Sequence, residues 1–232
     1  MRQWLDWLYP PRCPICDSVE KSAACCSNCV KLVEYVEEPF CYCCGKPLWD
    51  AKQEYCGDCM KYPKTFTANR SLAIYNDAMK RSLSRFKYEN RRDYALFYAQ
   101  ECAQRFGPEL LKLEIDMVIP VPIHRRKKRE RGYNQAAIFG KALSDMLGLS
   151  FYEDGLRRTV YTLPQKQLNN LERLKNLEKA FLIGKNSVKL KKVLLVDDIY
   201  TTGATLEACS RILITAGAQN VYGLTIATGE GY

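Results

Sequence analysis

The sequence predicts an α/β protein, in which a parallel sheet flanked by helices follows a small cysteine-rich module. Ten of the twelve cysteines lie between Cys13 and Cys59, and they fall into closely spaced pairs. From residue 65 onward, helix-like and strand-like segments alternate, which is typical of parallel sheets. One apolar segment, residues 193–196, is short enough to be a buried parallel strand and runs directly into Asp197 and Asp198.

Composition excludes several classes of protein. The chain has 232 residues, of which 47% are hydrophobic and 26% charged, as expected for one ordinary domain plus a small module. No run approaches the eighteen or so apolar residues of a membrane span. A signal peptide is not predicted, because Asp6 interrupts the apolar start and no small-residue cleavage site follows. We therefore expect a cytoplasmic protein whose thiols stay reduced.

The cysteine-rich module is predicted to bind two structural zinc ions. Each Cys-x-x-Cys pair can aim two thiolates at one metal, and two pairs complete a tetrahedral site. We assign the first two pairs to one ion and the last two to the other; an interleaved pairing is also geometrically possible. A redox role is disfavoured, because none of the pairs lies in a βαβ context. The predicted ligands are Cys13, Cys16, Cys26, Cys29, Cys41, Cys44, Cys56 and Cys59.

Two further cysteines lie beside predicted ligands. Cys25 and Cys43 could each replace a neighbour, but the two-residue spacing favours Cys26 and Cys44. Cys102 and Cys209 fall on apolar helix faces and are predicted to be core residues.

Charge is distributed unevenly between the two predicted domains, residues 1–64 and residues 65–232. Residues 1–64 carry eight basic and nine acidic side chains, so the remainder carries a net charge of +10. Four thiolates on a Zn²⁺ ion have a charge of −2, so the two predicted sites would take the first domain from −1 to −5. We therefore expect the second domain to hold a polyanion and the first to hold a protein partner.

The second domain is read from its apolar periodicity. The pattern predicts helices over residues 78–86, 94–106, 136–147 and 205–216, and strands over residues 116–122, 192–198 and 220–227.

The segment around Asp197 predicts a site for a ribose 5-phosphate. Small hydroxyl residues around Gly203 follow the aspartates and open a helix, so backbone N–H groups and the helix N-terminus can cradle a phosphate. Hydroxyl groups of Thr201, Thr202 and Thr205 would add donors. The two aspartates can accept hydrogen bonds from vicinal sugar hydroxyls, at the strand end where open α/β sheets bind ligands.

These residues resemble the signature of type I phosphoribosyltransferases, which bind 5-phosphoribosyl 1-pyrophosphate (PRPP) with magnesium. The chain as a whole resembles the ComF family. The matching segments are residues 8–16, 86–88, 121–124 and 131–135, Arg158 and Thr159, Gln165, Leu168, Arg173, Asn176, and Ala180 with Phe181.

The resemblance implies a double zinc ribbon joined to a type I phosphoribosyltransferase-like domain. It implies a competence factor for uptake of transforming DNA that binds single-stranded DNA and PRPP. A ComFA-like helicase-type ATPase would be its partner, at the inner face of the membrane uptake machinery. The alternative is an active phosphoribosyltransferase of amidophosphoribosyltransferase or nucleobase type.

By position, the resemblance also assigns residues to PRPP. Asp197 and Asp198 would contact the ribose hydroxyls and would be the catalytic residues of an enzyme. Residues 122–135 would lie near the pyrophosphate and residues 158–176 in the place of a mobile lid. The 5-phosphate would be held by Tyr200, Thr201, Thr202, Gly203, Ala204 and Thr205.

A basic segment supports a nucleic-acid role. Six cations in seven positions are too many for one pyrophosphate and suit a polyanion; a solvated charge run is the alternative. These cations are Arg125, Arg126, Lys127, Lys128, Arg129 and Arg131. A second basic group, in residues 80–94, is interleaved with Phe86, Tyr88 and Tyr94, as in sequence-tolerant single-strand binding. His124 between them is read as a loop anchor rather than a catalytic group.

Overall fold

In the computed structural model, a four-stranded parallel sheet forms the centre of the second domain. The structure describes residues 10–20, 24–160, 180–184 and 188–229. The sheet has the strand order β1 (Ala68–Ile74), β6 (Asn220–Thr228), β5 (Lys192–Tyr200) and β2 (Met117–Pro120), with all three pairings parallel. Strand β5 therefore lies inside the sheet, and Val193 to Val196 are fully buried, as the apolar run predicts.

Helices cover this sheet. Helices α2 (Asp77–Tyr88), α3 (Tyr94–Lys112) and α5 (Gln135–Leu147) contribute to one hydrophobic cluster, which also contains Leu194 and Val196. Helix α6 (Ala204–Thr215) belongs to a second cluster with Val193 and Leu195. Because side chains alternate along β5, its two faces supply the two clusters. The predicted helices and strands are confirmed, with ends that differ by a few residues.

Three parts of the fold differ from the prediction, and the first is β1, which is absent from the predicted strands. The basic segment, residues 125–131, forms helix α4 (Arg125–Arg131), which the apolar pattern does not predict and which is capped by His124 and by the left-handed Gly132. His124 accepts a hydrogen bond from the Arg126 backbone N–H at 3.2 Å, as a capping residue does. Strands β3 (Leu156–Arg158) and β4 (Phe181–Ile183) form a separate antiparallel pair, and residues 161–179 between them are not among the described residues. Most of the predicted lid therefore lies outside the described residues.

The cysteine-rich module packs closely against the second domain. We call residues 10–36 the first ribbon and residues 37–64 the second ribbon; the latter contains the short helix α1 (Gly57–Lys61). Tyr35 of the first ribbon pairs antiparallel with Ala73 of β1. In the second ribbon, the Cys43 carbonyl accepts a 2.7 Å hydrogen bond from the Asn69 backbone N–H. The composition changes near residue 64, but the module and the second domain are nevertheless packed against each other.

Candidate phosphoribosyl site and cysteine tetrads

The predicted phosphate loop lies between β5 and α6. Gly203 adopts φ +74°, a conformation that L side chains rarely adopt, and it caps the start of α6. Thr201 and Thr202 are exposed, and Ala204 and Thr205 are partly exposed in the first turn. A small concavity is lined by residues from β5, this loop, the start of α6 and Thr225 of β6. The loop therefore presents an open helix N-terminus, as a phosphate cradle requires.

Tyr200 is placed differently from the other predicted phosphate ligands. Its side chain is only 3% exposed and belongs to the hydrophobic cluster that contains the second group of cysteines. The ring meets Phe66 edge-on, with centroids 6.4 Å apart, and it packs against Gly203. Sequence reasoning missed this orientation, although strand alternation puts Tyr200 on the face opposite to Ile199.

The two aspartates differ in their electrostatic surroundings. Asp198 forms an ion pair with Lys87 of α2 at 2.8 Å, and both side chains are largely buried. Burial raises the pKa of Asp197 to about 8, and the charge of neighbouring Asp198 adds to the rise. The Asp198 backbone N–H donates to the Asp197 carboxylate at 2.8 Å, and this partly offsets that rise. Two carboxylates forced together at a strand end are typical of a functional site.

Lys87 is a candidate site residue whose ion pair with Asp198 the sequence does not predict. The sequence places it in the second basic group and in the matching segment 86–88, as a contact for nucleic acid rather than for the acidic pair. Other cations lie around it. Burial lowers the pKa of Lys127, and the nearby charges of Arg131, Arg158 and Lys87 lower it further. We call Lys87, Lys127, Arg131 and Arg158 the cation group.

The six predicted DNA ligands on helix α4 lie in two different environments. Lys127 and Arg131 are half-buried within the cation group. The other four are exposed: Arg125, Arg126, Lys128 and Arg129. Two of these form exposed ion pairs at 3.2 Å, Arg126 with Glu130 and Lys128 with Glu153. Exposed pairs of this kind are weak, so both cations can exchange partners.

The second predicted basic group is divided between structural contacts and the surface. Phe86 and Tyr94 are buried, which leaves Tyr88, at 67% exposure, as the accessible aromatic residue of the three. Arg131 lies over the Tyr88 ring, 4.8 Å from its centroid. Arg85 and Arg91 contact the first ribbon and are partly buried, whereas Lys80, Arg81 and Arg92 are exposed. The predicted interleaving of cations with aromatic rings is therefore reduced at the surface, because Phe86 and Tyr94 are buried.

The structure brings the eight predicted zinc ligands into two tetrads, each from consecutive pairs, and within each tetrad the four Sγ atoms lie within 4.8 Å of one another. A tetrahedral zinc site with Zn–S bonds of about 2.3 Å requires sulfur–sulfur distances of about 3.8 Å. Distances of 3.9 Å between Cys16 and Cys26 and 3.6 Å between Cys44 and Cys56 fit that requirement. The grouping is sequential, not interleaved.

The two additional cysteines lie beside the tetrads without joining them. The Sγ atom of Cys25 is 4.0 Å from that of Cys13. Burial raises the pKa of Cys25, and the charge of Cys13 adds to the rise. Cys43 is partly buried, and its pKa is lowered, first by a hydrogen bond with Cys59. Cys102 and Cys209 are fully buried, as predicted.

Comparison with known proteins finds a matching domain family for each half of the chain. Residues 4–60 match a double zinc ribbon domain, and residues 133–229 match a phosphoribosyl transferase domain. Competence protein F of Haemophilus influenzae is 32% identical, over 84% of this chain and 86% of that protein. The chain belongs to the ComF family. Competence protein ComFC of Streptococcus pneumoniae is 31% identical, over 84% of both chains.

Another ComF relative has a different name. The DNA utilization protein YhgH of Escherichia coli O157:H7 is 26% identical, over 84% of this chain and 86% of that protein. Among solved structures, a hypoxanthine phosphoribosyl transferase of Trypanosoma cruzi aligns with 14% identity, a TM-score of 0.41, and coverage of 59% of this chain and 66% of that one. In the described part of this ComF protein, no helix is both long and apolar enough to cross a bilayer.

Proposed function

We propose that this ComF protein binds PRPP with magnesium at the carboxyl end of β5 and acts on single-stranded DNA during competence. The observation that carries the proposal is the joint placement of an acidic pair, an open glycine-containing loop and the cation group around one strand end. Each part matches one part of PRPP: diol, 5-phosphate and pyrophosphate.

The cation group supports binding of the pyrophosphate. Lys127 lies near three other cations, and repulsion among these charges favours a multiply charged anion between them. Arginine adds planar, bidentate donors to phosphate oxygens. Magnesium, when bound with PRPP, would neutralise part of the pyrophosphate charge. Lys87 would leave Asp198 and pair with a phosphate oxygen, while the ribose hydroxyls bind to the acidic pair.

The acidic pair would hold and orient the ribose. Asp197, protonated below a pKa of about 8, can donate to one hydroxyl, while Asp198 accepts from the other. Bringing cations to the site lowers the cost of ionising Asp197. The pair is therefore suited to fixing the sugar at the strand end while the loop holds its 5-phosphate.

Turnover is the second candidate function. With the ribose fixed and the pyrophosphate among cations, an acceptor would attack the anomeric carbon of the ribose. The acceptor would form a bond to this carbon as the bond between the carbon and the pyrophosphate oxygen breaks. The cation group would stabilise the negative charge that develops on the leaving pyrophosphate. Release of pyrophosphate from PRPP, in the presence of an acceptor or single-stranded DNA, would establish an enzymatic activity. PRPP that binds but stays unchanged would show that the protein binds PRPP without turning it over.

Helix α4 supports the single-stranded DNA function. Its exposed cations lie next to Lys127 and Arg131, so a phosphodiester backbone could follow the helix beyond the PRPP site. Tyr88 supplies an accessible ring on which a base can stack. The DNA site would therefore be narrower than the sequence suggested, with α4 and Tyr88 at its centre.

The PRPP proposal is tested by a double variant. Asp197→Asn with Asp198→Asn should abolish the thermal stabilisation that PRPP with magnesium gives to the wild-type protein. Asp154→Asn, which changes an exposed carboxylate, is the matched control. A double variant stabilised by PRPP as strongly as the wild type would refute the site.

The DNA proposal is tested by a matched pair of double variants. Arg125→Gln with Arg129→Gln should weaken binding of single-stranded DNA and reduce the slope of log affinity against log salt by roughly 1.4, or 0.7 for each lost phosphate contact. Lys191→Gln with Lys192→Gln removes the same charge near Asp116 and Glu114, at the start of β5, and should leave binding unchanged. Equal losses in both variants would refute a site on α4.

Docking to a ComFA-like ATPase is proposed for the second ribbon. Tyr42, Trp49, Tyr55 and Met60 are exposed there, and Trp49 is 85% accessible. Exposed aromatic and methionine side chains are enriched at protein interfaces. Trp49→Ala with Met60→Ala should weaken the complex with the purified ATPase while zinc content is unchanged. Undiminished association would exclude this surface.

A further inference from the structure

Tyr200 links the phosphate loop to the second ribbon. It belongs to the hydrophobic cluster that contains Cys41, Cys44, Cys56 and Cys59. On its other side, the ring occupies the space beside Gly203, where an added Cβ would lie only 2.5 Å from the ring carbon Cζ. The ring therefore packs against the loop and belongs to the same hydrophobic cluster as the four cysteines.

A second connection fixes the helix that begins at this loop. Glu207 lies in the first turn of α6 and is 3% exposed. Its carboxylate accepts hydrogen bonds from the Thr65 backbone N–H at 2.8 Å and from the Thr65 hydroxyl at 2.7 Å. Thr65 directly follows the second ribbon, and Phe66 contacts Tyr200. The loop and the first turn of α6 are thus held at two adjacent points.

The first tetrad has no comparable connection to the loop among the described residues. Its buried members Cys13 and Cys29 belong to the other hydrophobic cluster, with α2 and α3. Tyr200, together with Leu206 and Ala208 of α6, belongs to the cluster of the second tetrad instead. The two tetrads therefore offer a matched comparison within one molecule.

We infer that Tyr200 and Glu207 are positioning residues that seat the phosphate loop on the second ribbon, so that metal binding by Cys41, Cys44, Cys56 and Cys59 is coupled to PRPP affinity. This inference rests on the proposed PRPP site. A phosphate bound by backbone N–H groups requires the loop in one conformation, and that conformation requires the ring in place. Coupling between two binding sites is reciprocal, so PRPP must in turn strengthen metal retention by the second tetrad.

Three variants test the positioning role by calorimetric titration with PRPP and magnesium. Tyr200→Phe keeps the ring and should bind within about twofold of the wild type. Tyr200→Leu leaves empty the space that the ring occupies beside Gly203. This variant should bind PRPP about tenfold more weakly, within the range of typical coupling energies. Glu207→Gln keeps the side-chain volume but removes the carboxylate that receives both Thr65 bonds, and it should weaken binding by about fivefold. Glu109→Gln, which alters an exposed ion pair with Arg70 on the same domain, is the control.

A second readout does not depend on PRPP turnover. Zinc release to a chromogenic chelator is followed with and without PRPP and magnesium, with ribose 5-phosphate as a weaker-binding comparison. PRPP should slow release from one tetrad by about fivefold in the wild-type protein and have no effect in Tyr200→Leu. A Tyr200→Leu protein that cannot be purified folded is replaced by Glu207→Gln, for which partial loss of the protection is expected.

The outcomes separate the inference from the proposed function. PRPP binding to the wild type that is unchanged in Tyr200→Leu and Glu207→Gln overturns the positioning role and leaves the site intact. PRPP binding that leaves zinc release from both tetrads unchanged overturns the coupling. Absence of PRPP binding to the wild type removes the proposed function, and the inference with it.

Discussion

The two ribbons resemble each other in sequence but attach to different elements of the second domain. The first ribbon is attached to α2 and to the start of α3: the Ile15 carbonyl accepts from Arg85 at 2.8 Å, and Asp17 accepts from Arg91 and Tyr94 at 2.7 and 2.6 Å. The second ribbon is attached to the phosphate loop and α6 through Tyr200 and Thr65. One ribbon therefore supports the helix that carries Lys87, and the other supports the loop.

This difference indicates why the module contains two ribbons. A PRPP site needs cations for the pyrophosphate and a preformed cradle for the 5-phosphate, and the two come from distant segments of the chain. A metal-stabilised module that holds both can fix their separation. Structural zinc supplies folding energy to modules too small to form an adequate core.

The largest expected difference between the ribbons is in metal retention. All four cysteines of the second tetrad are buried, whereas Cys16 of the first is exposed and Cys26 is partly exposed. Zinc release from the wild-type protein to a chelator should therefore be biphasic, with one equivalent released at least about tenfold faster than the other. Cys16→Ser should remove the fast phase only. A single phase of two equivalents would contradict the comparison.

A smaller effect is expected from the attachment of the first ribbon. Asp17→Asn should lower the free energy of unfolding by about 1–3 kcal/mol at neutral pH, because it weakens charge-assisted bonds from Arg91 and Tyr94. Burial alone would raise the pKa of Asp17, but these bonds and the arginine charges lower it. The wild-type advantage should therefore be present above the unfolded pKa near 3.8 and disappear as pH falls through the folded pKa.

Denaturant titrations at several pH values measure this effect. Glu89→Gln is the control, because its 4.0 Å contact with Arg85 is exposed and should contribute little. An advantage of Asp17 that stays constant down to strongly acid pH would show that charge is not its source.

Asp197 should show the opposite dependence of stability on pH. Because its folded pKa is raised to about 8, the folded state holds more protons than the unfolded state between about pH 4 and 8. Stability of the unliganded wild type should fall across that range, and Asp197→Asn should avoid this loss. We expect the variant to be more stable than the wild type at pH 8, because it removes this proton-linked loss. Thermal unfolding at pH 5 and pH 8 measures the difference, and a less stable variant at pH 8 would contradict it.

Sequence patterns predicted the parts of the molecule that depend on short-range spacing. The Cys-x-x-Cys pairs predicted both tetrads, and the apolar run before Asp197 predicted a buried parallel strand. The glycine and hydroxyl residues after it predicted a loop that opens a helix. In each of these cases, the residues that determine the structure lie within about twenty positions of one another.

Contacts between distant segments were not predictable in this way. Lys87 reaches Asp198 across 111 positions, and Thr65 reaches Glu207 across 142. A lysine at the end of a helix, or a glutamate in its first turn, ordinarily faces solvent. Only the strand order, which places β6 between β1 and β5, brings these segments together. The attachment of each ribbon therefore became clear from the structure alone.

The central claim, that each ribbon supports one half of a PRPP site, is tested most directly with fragments of the ligand. Affinities for magnesium pyrophosphate and for ribose 5-phosphate are measured by calorimetry on Arg85→Gln, which loosens the first ribbon from α2, and on Tyr200→Leu. We predict that Arg85→Gln weakens pyrophosphate binding by about fivefold and spares ribose 5-phosphate, and that Tyr200→Leu does the reverse. Equal losses for both fragments in both variants would contradict the account.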